Sequence, residues 1–99
     1  MAVERIPLNA MPSQRLSVLL GDQSCRINVR QRRTGVFLDL YIQDEPIALG
    51  VKAIDRKYLI RAPYSTFRGD LFFVDTQAEG NPHFEGLGTR WQLAWDSEA

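Results

Sequence analysis

The sequence has 99 residues, 44% of them hydrophobic and 24% charged, enough for one domain over 1–99 but too few for two cores. Its 12 Lys+Arg are cancelled by 12 Asp+Glu. This leaves no surplus of cations to neutralise phosphates, so nucleic acid is not an expected partner. The same neutrality removes the self-repulsion that keeps monomers apart, which points toward protein partners and a homo-oligomer. No apolar run approaches the length that crosses a bilayer, so no membrane is expected. The start, Met1-Ala2-Val3-Glu4-Arg5, shows no cationic stretch leading into an apolar one, so no secretory signal is expected. A single cysteine, Cys25, excludes an internal disulfide and fits a reducing compartment of synthesis. One cysteine and one histidine cannot make a Cys/His zinc site. The cations are ten Arg and two Lys, a bias toward planar, fixed contacts rather than plain solvation.

Period-two alternation recurs along the chain and helical spacing is never sustained. Gly, Pro and Asx punctuate it regularly, the rhythm of an all-β meander closed as a small antiparallel barrel or sandwich. Strands are predicted over 5–8, 15–20, 24–33, 36–42, 47–54, 58–61, 71–76 and 90–95. In the second, Leu16, Val18 and Leu20 form an inward row with Arg15, Ser17 and Leu19 behind it. The bend Leu20-Gly21-Asp22-Gln23 leads into the third. If Thr34-Gly35 is a two-residue turn, Val29 faces Leu40, Ile27 faces Ile42 and Arg30 faces Asp39. With Asp44-Glu45 as the next turn, Ile42 meets Ile47, Leu40 meets Leu49 and Leu38 meets Val51. That register keeps one apolar face unbroken over three strands, and a one-residue slip would turn every side chain over. Gly69-Asp70-Leu71-Phe72-Phe73-Val74-Asp75 is the most apolar strand and is expected to be covered on both sides. Trp91, Leu93 and Trp95 share the inner face of the last one.

Arg26, Arg30, Arg32 and Arg33 make the one basic run. Three of them alternate onto the solvent face beside Phe37 and Tyr41, which suits either a protein-docking sheet face or a stacking platform for single-stranded nucleic acid. Neutral overall charge favours docking, and a small nucleic-acid-binding β-barrel is the alternative. The candidate interface residues are therefore Arg26, Arg30, Arg32, Phe37, Tyr41, Trp91 and Trp95, the two tryptophans being core first and interface anchors second. Asp39, Asp70 and Asp75 could be imagined in acid–base chemistry, yet nothing supplies a nucleophile, an oriented base and an oxyanion donor together. No catalytic, metal or cofactor residue is assigned. His83 reads as an exposed loop histidine and Cys25 as a small buried hydrophobe. Gly86-Leu87-Gly88 reads as a hinge-like turn, with no Lys-Ser/Thr to make it a phosphate loop.

The order of motifs is familiar. Ile6-Pro7-Leu8 is followed by Pro12-Ser13-Gln14-Arg15-Leu16-Ser17-Val18 and the Leu20-Gly21-Asp22-Gln23 bend. Then come Thr34-Gly35-Val36-Phe37-Leu38-Asp39-Leu40 and Pro46-Ile47-Ala48-Leu49-Gly50-Val51. Gly69 to Thr76 and Gly86-Leu87-Gly88-Thr89-Arg90-Trp91-Gln92-Leu93 close the pattern. From Ile6 to about Trp95 the chain resembles small phage and prophage tail proteins related to the baseplate plug of a contractile-tailed cyanophage. The resemblance implies an all-β, non-enzymatic virion component, plug-like or adaptor, in the central, tube-proximal baseplate. It also implies tube, hub and wedge proteins as partners, synthesis in the bacterial cytoplasm and no cofactor.

Overall fold

The computed structural model describes residues 3–61, 67–78 and 80–98. Seven strands run in chain order: β1 (Val3–Ile6), β2 (Ser13–Leu20), β3 (Gln23–Arg32), β4 (Gly35–Ile42), β5 (Glu45–Lys52), β6 (Asp70–Asp75) and β7 (Trp91–Asp96). A 3₁₀ turn, Phe84–Gly86, precedes β7. They form two antiparallel sheets, a meander β2-β3-β4-β5 and a three-stranded sheet β1-β7-β6. The all-β expectation holds as two sheets, and among the described residues no barrel closes.

Alternation produces the core. Cys25, Ile27 and Val29 of β3 and Val36, Leu38 and Leu40 of β4 are buried from the meander side. Ile6, Leu71, Phe73, Trp91, Leu93 and Trp95 join them in one cluster from the other sheet. Gln23 ties the sheets together: its side chain accepts from the Arg68 amide (2.8 Å) and donates to the Leu20 and Arg68 carbonyls. The Trp95 indole N–H donates to the same Arg68 carbonyl at 2.9 Å. Gly88, at φ +84°, lies so close to Leu8 that a Cβ there would sit 2.1 Å from the Leu8 carbonyl oxygen. Only glycine fits both the dihedral and the space.

The meander register differs from the expected one. Val29 pairs with Leu38, Ile27 with Leu40 and Cys25 with Ile42, because the turn is Arg33-Thr34 and not Thr34-Gly35. The displacement is two residues, an even number, so every inward side chain stays inward. Asn28, not Arg30, stands opposite Asp39, and Arg30 stands opposite Phe37. Between β4 and β5 the pairing is Ile42 with Glu45, Leu40 with Ala48 and Leu38 with Val51, with two register shifts. The shifts add residues to β5, restore the Leu38–Val51 pair and turn Leu49 out, 59% exposed.

Two further expectations are corrected. Residues 58–61 form no strand: Leu59 donates to the Leu71 carbonyl, while the Asp70 carboxylate accepts from the amides of Ile60 and Arg61. A side chain there replaces ladder partners. β6 is fully covered on one face only, by burial of Leu71 and Phe73, while Phe72 and Val74 are half-buried.

Candidate interaction surface

The outer face of the meander gathers the basic run. On β3 the outward positions are Arg26, Asn28, Arg30 and Arg32, and their β4 partners are Tyr41, Asp39, Phe37 and Gly35. Arg26 lies over the Tyr41 ring, its guanidinium carbon 4.6 Å from the ring centroid, and reaches Asp44 at 2.8 Å. Arg30 donates to Asp39 at 2.7 Å along the diagonal of the ladder, the expected ion pair made from a neighbouring register position. The other Asp39 oxygen accepts the Gly50 amide at 2.6 Å. Gly50 has φ +62° at the shift in β5, so this buried carboxylate holds the irregularity and fixes Arg30 together. Asp39→Ala should leave the Gly50 N–H and the Arg30 guanidinium without their acceptor and cost about 1–3 kcal/mol in urea unfolding. Asp39→Asn should cost less.

Ser13, Gln14, Arg15, Asn28 and Arg30 line an open polar groove of about 580 Å³ on this face. Within the sheet, Asn28 Oδ1 and the Nε atoms of Arg26 and Arg30 are buried without a hydrogen-bond partner. The surface is cationic, aromatic-bearing and largely fixed by Asp39 and Asp44. It offers guanidinium planes and ring faces.

The tryptophans lie elsewhere. Trp91 and Trp95 are each 7% exposed in the core, their indole N–H groups donating to the carbonyls of Gly80 and Arg68. They are separate from the Arg26–Tyr41 face. A second groove of about 380 Å³, lined by Val3, Arg56, Tyr58, Phe72, Val74 and Asp96, lies on the three-stranded sheet. There the Tyr58 hydroxyl donates to Asp96 at 2.8 Å, which raises its pKa above the ordinary tyrosine value by favouring the protonated phenol.

The acidic residues weighed for catalysis are structural anchors. Asp75, 1% exposed, accepts from Arg90 Nε and Nη2, both at 2.8 Å, and from the amides of Gln77, Ala78 and Gly80. Its carboxyl is held well below the usual carboxylate range, first by Arg90 and then by those amides against the opposing effect of burial. Arg90 stacks over Trp91 at 4.3 Å. Sequence reasoning missed this bidentate pair; an acidic strand end and an arginine just before the next strand were its only trace. Asp70 holds residues 60 and 61 as described. His83 accepts the Glu85 amide at the 3₁₀ turn. Burial pushes the Cys25 thiol up, toward the inert form. Among the described residues no group of three or more His, Cys, Asp or Glu could hold a metal ion.

The chain is thus a two-sheet antiparallel β-domain with a cationic, aromatic outer face, and Asp39, Asp70 and Asp75 hold its backbone irregularities and loops. Over residues 3–98 the sequence matches the family described as cyanophage baseplate Pam3 plug gp18, and the chain belongs to that family. With membership comes a structural role in a phage baseplate. No curated protein matches the chain.

Proposed function

We propose that the chain is a non-enzymatic, cofactor-free subunit of the central, tube-proximal part of a contractile-tail baseplate, plug-like or adaptor. It is made in the host cytoplasm and meets tube, hub and wedge proteins of the same tail. The family match across residues 3–98 carries this reading. The outer face of β3 and β4 supplies the chemistry for protein contact. Arg26, Arg30 and Tyr41 present cationic and aromatic groups already ordered by neighbours, with Arg32 and Phe37 beside them on the same face, and such side chains carry interface energy at low ordering cost. Trp91 and Trp95 stay in the common core, apart from that face.

Co-expression with the tail proteins of the source phage tests the reading. Wild-type chain is expected to co-purify with at least one of them and to appear in the tail by electron microscopy. Replacing Arg26, Arg30 and Arg32 by Ser together is expected to weaken capture by at least tenfold, since buried interface arginines rank among the most costly to lose. Undiminished capture by the triple variant would remove these arginines from the interface.

The nucleic-acid alternative draws on the same arginines. Arg26 and Arg30 are paired with Asp44 and Asp39, which lowers the cationic charge left for phosphates. Single-stranded DNA binding at low salt that falls with added salt would favour it over the docking reading.

A further inference from the structure

The meander has two outer strands, and they are built differently. β5 carries the defences of a protected edge: Pro46, two register shifts, Gly50 at positive φ and Lys52. β2 has none of these. It runs eight residues, Ser13–Leu20, without proline, glycine or lysine, and pairs with β3 at every position without a shift. Leu19 is 63% exposed, and Leu16 and Val18 are only half-buried at the rim of the core.

The hydrogen-bonding direction follows from the register. The two-residue turn Gly21-Asp22 closes on Leu20 and Gln23, so the even-numbered residues of β2 bond to β3. The Gln31 amide donating to the Pro12 carbonyl at 2.7 Å continues that parity. The N–H and C=O groups of Arg15, Ser17 and Leu19 therefore point off the sheet, and no described residue bonds to them. Eight residues of unprotected edge end in an apolar side-chain row.

We propose that this edge pairs with the same edge of a second copy, antiparallel about a two-fold axis through Ser17. In that register Ser17 faces Ser17 of the other copy, Arg15 faces Leu19, Leu16 faces Val18 and Gln14 faces Leu20. The outward-pointing groups of 15, 17 and 19 meet their like, as an antiparallel ladder requires. Leu16 and Val18 extend the inner apolar row across the seam, so both half-buried side chains gain cover. Arg15, the one charged residue of β2, lies beside the aliphatic Leu19 and away from its own copy. The register one step off, centred on Leu16, would set Val18 against Gln14 and Leu19 against Ser13, wasting the apolar side chains. Two four-stranded sheets then join into one of eight, with both Arg26–Tyr41 faces on the same side. The pairing does not rest on the baseplate reading, since capture of tail proteins can succeed or fail with β2 unpaired.

Light scattering on the purified full chain, with three variants, tests it. The wild type is expected to show a dimer mass. Ser17→Pro removes an outward N–H without touching a β3 bond, and is expected to halve the mass while circular dichroism keeps its β signal. Ser17→Cys is expected to cross-link on oxidation, because Cα atoms of a hydrogen-bonded pair lie about 5.5 Å apart. Gln14→Cys, several residues from its own copy, is expected not to. If Ser17→Pro fails to fold, the cysteine pair decides alone. A monomeric wild type, or a dimer that neither dissociates with Ser17→Pro nor cross-links through Ser17→Cys, would overturn the proposal.

Discussion

Truncation of Phe73 to alanine is expected to lower the unfolding free energy by about 3–5 kcal/mol, a large part of the roughly 5–15 kcal/mol that holds a domain folded. Phe73 is 0% exposed at the middle of β6, opposite Leu93. Its carbonyl also accepts the Arg56 amide at 2.7 Å, and its backbone bridges Asp55. Phe73 thus sits where the three-stranded sheet, the 53–61 segment and the common core meet. Urea titration followed by Trp91 and Trp95 fluorescence reads the change as a lower midpoint at constant slope. Phe73→Leu keeps most of the volume and should cost well under half as much. A shift for Phe73→Ala within about 0.5 kcal/mol, the range of ordinary surface changes, would contradict this placement.

A paired substitution shows where the sequence stopped being readable. Leu40→Ala should cost about 2–5 kcal/mol and Leu49→Ala less than about 0.5 kcal/mol, although alternation alone assigns both to one apolar face. Leu40 is 0% exposed and Leu49 59%. Period two is a property of an unbroken strand. The carboxylate of Asp39, reaching across to the Gly50 amide, interrupts β5 in a way no pattern of apolar residues announces. Faces in β2, β3 and β4 were legible because burial selects parity and parity survives a two-residue slip. The turn itself was not: Gly35 does have positive φ, at +143°, but as the first residue of β4 rather than inside the turn.

The interaction surface was legible for a related reason. Alternation alone puts Arg26, Arg30 and Arg32 outward with Phe37 and Tyr41, and long arginine side chains reach diagonal neighbours as readily as direct ones. The Arg30–Asp39 pair therefore forms despite the displaced register. The segments between 53 and 61 and between 76 and 90 were the least readable. Their backbone is held by single carboxylates and amides from distant positions. Asp55 accepts the Asp75 amide, the Asn81 side chain accepts the Asp55 amide, and Asp75 accepts three amides of its own loop. Local propensity carries no record of such contacts, so acids that tie loops down resemble, in sequence, acids free for chemistry.

Asp75 makes that distinction measurable. Its carboxyl is depressed below its ordinary value, foremost by Arg90, whereas in the unfolded chain it titrates near 3.9. A group with a lowered folded-state pKa stabilises the fold above its unfolded value, and that contribution is lost as pH falls toward the folded one. Asp75→Asn keeps the shape but replaces a charged acceptor of five hydrogen bonds by an amide, one of whose ends cannot accept. The wild type is therefore expected to be clearly more stable than Asp75→Asn from pH 5 to 7, and the gap should narrow as pH drops below about 4. Urea midpoints of the two proteins measured side by side isolate this group, because every other carboxylate titrates in both. In an Arg90→Met background, which lacks the largest cause of the depression, the cost of Asp75→Asn at pH 5 to 7 should be smaller and should change less as pH falls below about 4. A gap that stays constant down to pH 2 would mean that Asp75 does not hold its loop and Arg90 as a carboxylate, and the anchoring of Gln77, Ala78 and Gly80 would need another source.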